Sequence, residues 1–193
     1  MRLAKILLIP ILATALVGCA TAQWVKIAEQ ILPVVLPMVT NMVTAVSLLQ
    51  GKTVSASDLS TITQTSNQIA NDLNLVGQLI NQYDASPNIS TVQKIQSALA
   101  DVHANLNGLL PALHISDPAT VQKVTAIVTL IGSEVDSLSQ LLPVVSSGKL
   151  QAREGALAAP LGPAQLKQEY NAIVTQSTAN NAVNQAFAKA VLE

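Results

Sequence analysis

Leu59-Ser60-Thr61-Ile62-Thr63-Gln64-Thr65-Ser66-Asn67-Gln68-Ile69-Ala70-Asn71-Asp72-Leu73-Asn74-Leu75-Val76-Gly77-Gln78-Leu79-Ile80-Asn81-Gln82-Tyr83 is the stretch that decides the fold. Within it Leu59, Ile62, Ser66, Ile69, Leu73, Val76, Ile80 and Tyr83 follow one another at alternating steps of three and four residues. A strand would need alternation at every second residue, whereas a helix turning every 3.6 residues gathers these positions into one stripe. The stripe is apolar and the rest of the stretch is polar, so the helix must bury one side against a partner.

Partners with the same grammar lie on both sides. Val92, Ile95, Leu99, Val102, Leu106, Leu109 and Leu113 repeat the spacing, as do Val121, Val124, Val128, Ile131, Val135, Leu138, Leu142 and Val145. Upstream, Ala28, Ile31, Val35, Met38, Met42, Ala45 and Leu49 make a fourth seam. Heptad-like seams pack at a shallow left-handed crossing angle. Gly51 separates the first two helices, and Ser55-Ala56-Ser57-Asp58 offers capping oxygens with an early acid. Ser86-Pro87 and Asp117-Pro118 each read as an N-cap followed by proline at the first helical position. The links near 84–88 and 114–117 are only a few residues long, which forces neighbouring helices antiparallel. The expectation is an all-α protein, an up-down-up-down four-helix bundle over residues 19–147.

Two of these helices echo each other. Thr91-Val92-Gln93-Lys94-Ile95 recurs as Thr120-Val121-Gln122-Lys123-Val124, and both copies lead to Leu-Leu-Pro, at 109–111 and 141–143. A third echo is Ile31-Leu32-Pro33-Val34-Val35. The echoes fit either a drifted duplication or convergent helix chemistry in a biased composition. Proline at such positions is expected to end or kink a helix near its last turn. From Gly148 to Pro163 the heptads stop, and Gly148, Gly155, Pro160, Gly162 and Pro163 mark an Ala-rich linker. A C-terminal helix over 164–193 follows, with Leu166, Tyr170, Ile173, Phe187 and Val191 on one stripe that Ser177, Asn180 and Asn184 interrupt.

The chain begins differently. Arg2 and Lys5 precede an apolar run of twelve residues, Ile6–Val17, and then come Gly18 and Cys19, the only cysteine. Twelve residues rise about 18 Å as a helix, short of a hydrocarbon core of roughly 30 Å. A basic start, a short apolar run and small residues before a cut site form an export signal. With Leu16-Val17-Gly18-Cys19 at its end, the segment resembles the signal peptide and lipobox of bacterial lipoproteins, over residues 1–20 only. The resemblance implies that signal peptidase II reads Leu16, Val17 and Gly18, removes residues 1–18 and leaves an acylated Cys19 as the first residue. Two or more acyl chains hold a protein stably on a membrane. By the family's sorting rule, Ala20 rather than an aspartate implies outer membrane over inner. The mature chain would then have no thiol for a disulfide or metal.

Composition narrows the rest. Half the residues are apolar, yet aromatics make up 2% and charged residues 11%, against about 25% charged in ordinary domains. Ser, Thr, Asn and Gln supply most of the polar surface. Without Arg2 and Lys5 the chain carries 8 basic and 11 acidic side chains, a formal charge of −3, which is not a nucleic-acid-binding balance. His103 and His114 lie eleven residues apart, about 16 Å along one helix, too far to share a metal. They read as surface or capping side chains. Asp58 and Asp117 sit at helix starts, and Asp72, Asp84, Asp101, Glu134, Asp136, Glu154, Glu169 and Glu193 are scattered. No nucleophile elbow or phosphate-binding loop is present, so no catalytic residue, cofactor or metal is assigned.

Ile31–Leu49 holds nineteen residues without a charge, near the length of a membrane span, with Thr40, Asn41, Thr44 and Ser47 forming a mildly polar face. It reads first as the most buried helix of the bundle and second as a membrane-contacting helix. The expected function is that of a non-enzymatic, lipid-anchored envelope protein, a structural or interaction module that docks on an envelope partner or on itself. The alternatives are an apolar ligand held within the bundle and membrane perturbation through 31–49.

Overall fold

The computed structural model describes residues 8–151, 153 and 160–193, with side chains from Gln23 onward among these. Four long helices, α1 (Leu8–Ser47), α2 (Ala56–Ala85), α3 (Ile89–Ala112) and α4 (Pro118–Leu141), are joined by short connections. α1 packs on α2, α2 on α3, α3 on α4, and α4 returns to α1. Short links make successive neighbours antiparallel. The result is the all-α bundle that the four seams demand.

The seams form its core. Ile62, Ile69, Leu73, Val76, Ile80 and Tyr83 of α2 meet Val92, Ile95, Leu99, Val102, Leu106 and Leu109 of α3, all buried. α1 contributes Ile31, Val35, Met38, Met42 and Ala45, and Leu49 follows in the turn after it, while Thr40, Thr44 and Ser47 face solvent. Removing a leucine- or isoleucine-sized side chain from water stabilises by about 1.5–3 kcal/mol, so this shared core dominates the fold. In α4 the stripe begins one residue off the expected phase. Val121 is 41% exposed, and Thr120 and Lys123 are buried before the pattern resumes at Val124, Val128, Ile131 and Val135.

Caps mark the helix starts. Ser55 Oγ accepts the Asp58 N–H at 3.0 Å, and Asp117 Oδ2 accepts the Thr120 N–H at 2.7 Å. For α3 the cap is Asn88 rather than the expected Ser86. The Asn88 amide oxygen accepts the Thr91 N–H at 2.8 Å, and its nitrogen donates to the Ser86 carbonyl. The longer amide both caps the helix and ties down the turn before it.

Two other expectations are corrected, those for the prolines of α1 and for the linker. Pro33 and Pro37 lie inside α1 without ending it. Each removes one backbone donor, and the carbonyls left unpaired belong to the exposed residues Glu29 and Pro33. Pro111, in the last turn of α3, and Pro143, just past the end of α4, both lie at helix ends as expected, although not at equivalent positions. The expected linker opens instead with a hairpin, β1 (Val144–Ser146) and β2 (Lys149–Gln151), paired Val144↔Gln151 and Ser146↔Lys149. Its two-residue loop has φ of 51° at Ser147 and 72° at Gly148, the positive pair that matches the twist of hairpin strands.

The C-terminal segment is two helices, α5 (Pro163–Thr175) and α6 (Asn181–Ala188), not one. The polar residues that interrupt the stripe make the break. Asn180 Oδ1 caps the N–H groups of Ala182 and Val183, and Asn184 Oδ1 accepts from the Thr178 N–H and hydroxyl. Both helices reach α1, and α5 also reaches α4, burying Leu166, Tyr170, Val174, Val183 and Phe187. Val191, expected on the stripe, is 40% exposed, and Ala190 is buried in its place.

Candidate functional site

The assigned positions Leu16, Val17, Gly18 and Cys19 lie on the helical backbone of α1, and their side chains are outside the described residues. The same helix enters the core almost at once: Trp24 is 4% exposed and Val25 2%. Trp24 follows Cys19 by five positions, about 7.5 Å of helical rise. Trp24 packs on Tyr83 at the end of α2, with ring centroids 5.1 Å apart and planes tilted by 50°. An aromatic pair thus closes the end of the bundle nearest Cys19.

The two histidines stay apart. His103 Nδ1 lies 2.8 Å from Asp136 Oδ1 across the α3–α4 seam, without an aligned hydrogen bond, and both side chains are more than 40% exposed. His114 contributes chiefly through its backbone, whose N–H donates to Asp58 Oδ1 at 2.9 Å, while its side chain is 87% exposed. Asp58 also accepts from Ser55 Oγ at 2.6 Å. The Ser55 bond first, and then the His114 N–H, hold the Asp58 carboxyl below the usual range despite its burial. Asp117 works similarly at the start of α4. Burial pushes its carboxyl up, but bonds from Thr120 and from Asn180, at 3.0 Å, outweigh it and leave it lowered. Both acids join helix starts to neighbouring segments.

The groups that sequence reasoning missed are Lys123 and Glu134, each 2% exposed on α4. Lys123 Nζ donates to the carbonyls of Ile173, Val174 and Gln176 at 2.9, 2.9 and 2.7 Å, and lies 5.4 Å from the centroid of the Phe187 ring. Glu134 Oε2 accepts the Leu161 N–H at 3.0 Å, just before α5 begins. The two sit eleven residues apart, about 16 Å, close to the roughly 20 Å length of α5. A cation therefore meets the carbonyl end of α5, and a carboxyl group holds the backbone two residues before its start, an arrangement of the sign that the helix dipole favours. Gly162, the N-cap of α5, has no side chain to cap with. Burial holds the Lys123 ammonium below its usual range and pushes the Glu134 carboxyl up, with Glu169 adding to the rise. No local signal marks the buried lysine: Lys94 and Lys123 hold the same place in the echoed pentapeptides, yet Lys94 is exposed and Lys123 buried.

Three surface grooves are described. One of about 410 Å³ lies between α1 and α2, along Leu32, Pro33, Leu73 and Gly77. Two of about 420–430 Å³ flank His103 and Asp136, one including Arg153 and the other Leu110, Val128 and Gly132. No group of three or more potential metal ligands occurs among the described residues. Gln23–Ser47 is long and apolar enough to cross a membrane by length and composition, with a mean hydropathy of 1.5 over its most apolar stretch, half of which is buried within the bundle. No protein-family model, curated protein or solved structure matches this chain.

Proposed function

We propose that this chain is a lipid-anchored protein of the bacterial envelope, held through acyl groups on Cys19, in the outer membrane rather than the inner. It acts there as a non-enzymatic structural or interaction module. The observation that carries the reading is Leu16-Val17-Gly18-Cys19 at the end of a short apolar run behind Arg2 and Lys5, and α1 leads from Cys19 directly into the core by Trp24. An acyl group on Cys19 would therefore set the Trp24–Tyr83 end of the bundle against the membrane, with a single turn of helix between. The apolar stripe of 31–49 is occupied by packing within the bundle, which favours the core reading of that helix over bilayer contact. Pairing in the envelope uses a surface rich in amides and hydroxyls.

The test is membrane fractionation of the full-length chain against Cys19→Ala in a bacterial host. The wild-type chain is expected in the membrane fraction and the variant in the soluble fraction. A Cys19→Ala variant that remains with membranes contradicts the anchor and returns Gln23–Ser47 to consideration as a membrane-contacting helix.

A further inference from the structure

We infer that the outer face of α2 is a homotypic contact: two copies anchored in one membrane pair α2 beside α2, parallel and in register, through a ladder of side-chain amides. This inference rests on the anchor reading above. Its motivation is a second heptad on α2, on the side away from the core. Gln64, Asn67, Asn71, Asn74, Gln78 and Asn81 are spaced by alternating threes and fours, with Gln68, Leu75 and Gln82 beside them. All nine are exposed, and Leu75 at 44% is among the most exposed large apolar side chains described. The described side-chain hydrogen bonds on α2 involve Ser57, Asp58, Thr61 and Asp72, and none of these amides.

The face carries no charge from Gln64 to Gln82. Asp72, the one acid in that span, is half-buried and turned towards Asn105 of α3 at 3.4 Å. Outer positions of α1 and α3 differ, with Lys26 and Glu29 on one and Lys94 and Asp101 on the other, all exposed. The difference matters because of symmetry. Copies anchored in one membrane share an orientation, so a two-fold axis between them runs along the membrane normal and sets like residues opposite one another. A charged side chain placed so would face its own charge. An amide carries donors and an acceptor in one group and is its own complement. Antiparallel pairing of the same faces would place the two Cys19 residues at opposite ends, which a single membrane does not allow.

The strength of the contact follows from its size. A single helix pair of this length buries less than the about 1,000 Å² expected of a stable soluble dimer. Pairing therefore depends on the anchor, which confines the copies and raises their effective concentration. Leu75 supplies an apolar centre, and the amides around it set the register.

The experiment uses the full-length chain in isolated bacterial membranes. With Cys19 acylated, a cysteine introduced at Gln78 is the only free thiol. Mild oxidation of Gln78→Cys is expected to give about tenfold more disulfide dimer than Ser97→Cys, an exposed position on α3. Adding Asn71→Lys to Gln78→Cys, which sets like charges opposite each other, is expected to abolish the dimer. A membrane-bound, acylated Gln78→Cys chain that cross-links no better than Ser97→Cys overturns the inference and leaves the anchor standing. Recovery of soluble chain with an unmodified Cys19 overturns the anchor reading and the inference together.

Discussion

The α2–α3 seam and the α4–α5 seam hold this molecule by different means. Between α2 and α3 the contact is mainly a zipper of Ile, Leu and Val, and its one buried carboxylate, Asp58, sits at the very start of α2 and is held by hydrogen bonds from Ser55 and the His114 N–H. Between α4 and α5 it contains a buried lysine, a buried glutamate and the Tyr170 hydroxyl, which has no partner among the described residues. Burial pushes that phenol far above its usual range. An apolar seam gains free energy from every contact. A seam with buried ionic groups must first offset their desolvation, so it adds little net stability and is sensitive to loss of a single partner. The bundle proper should therefore be the more stable unit and α5–α6 the first to open, which residue-resolved hydrogen exchange would show as weaker protection over 163–190.

The largest effect expected is in the apolar seam. Ile95→Ala removes a fully buried side chain and should cost about 3 kcal/mol, read as a lower denaturant midpoint for the whole chain. Next, Lys123→Met leaves three carbonyls unpaired at the end of α5 and should cost about 2 kcal/mol. Exchange should then rise over α5–α6 before it rises in α2. If Lys123→Met instead destabilises α2 and α5 equally, the two seams are one cooperative unit.

Glu134 sharpens the comparison through its charge. Its carboxyl is raised in the folded chain, so the folded state holds its proton to higher pH than the unfolded state. Its contribution is fully present below the ordinary carboxylate value of 4.5 and is lost as pH rises through the raised folded value. Asp58 and Asp117 behave oppositely. Their lowered carboxyls contribute above the ordinary 3.8 and lose that contribution as pH falls through the depressed folded values. Mild acidification should therefore tighten α5 before stronger acid loosens the helix starts. Glu134→Gln keeps an acceptor for Leu161 and should remove the first response, changing stability at neutral pH by no more than about 1 kcal/mol. The smallest effect belongs to His114→Ala. Asp58 uses the backbone of that residue, and the change should stay within about 0.5 kcal/mol.

The same contrast explains what was legible in the sequence. Apolar residues at threes and fours announce their own burial, so Ile69, Ile95 and Val35 could be placed in the core directly. Asp117 followed by Pro118 announced a cap for the same reason: the chemistry is local. Lys123 and Glu134 are buried because α5, some forty residues away in the chain, brings its carbonyls and the Leu161 amide to them. Nothing within one turn of either residue encodes that. The division of the C-terminal segment was half-legible, since Asn180 and Asn184 stood out as interruptions but their bonds to the 178–183 backbone depend on the turn they create. At the N-terminus, Cys19 was read from Arg2, Lys5, the apolar run Ile6–Val17 and the closing Leu16-Val17-Gly18, all within eighteen residues of sequence.

That reading is the account's central claim, and intact mass spectrometry of the full-length chain recovered from bacterial membranes tests it most directly. The account predicts a chain that begins at Cys19 and carries the added mass of a diacylglyceryl group, with or without a further acyl chain. A chain that still begins at Met1, or one that carries an unmodified Cys19 thiol, would contradict it.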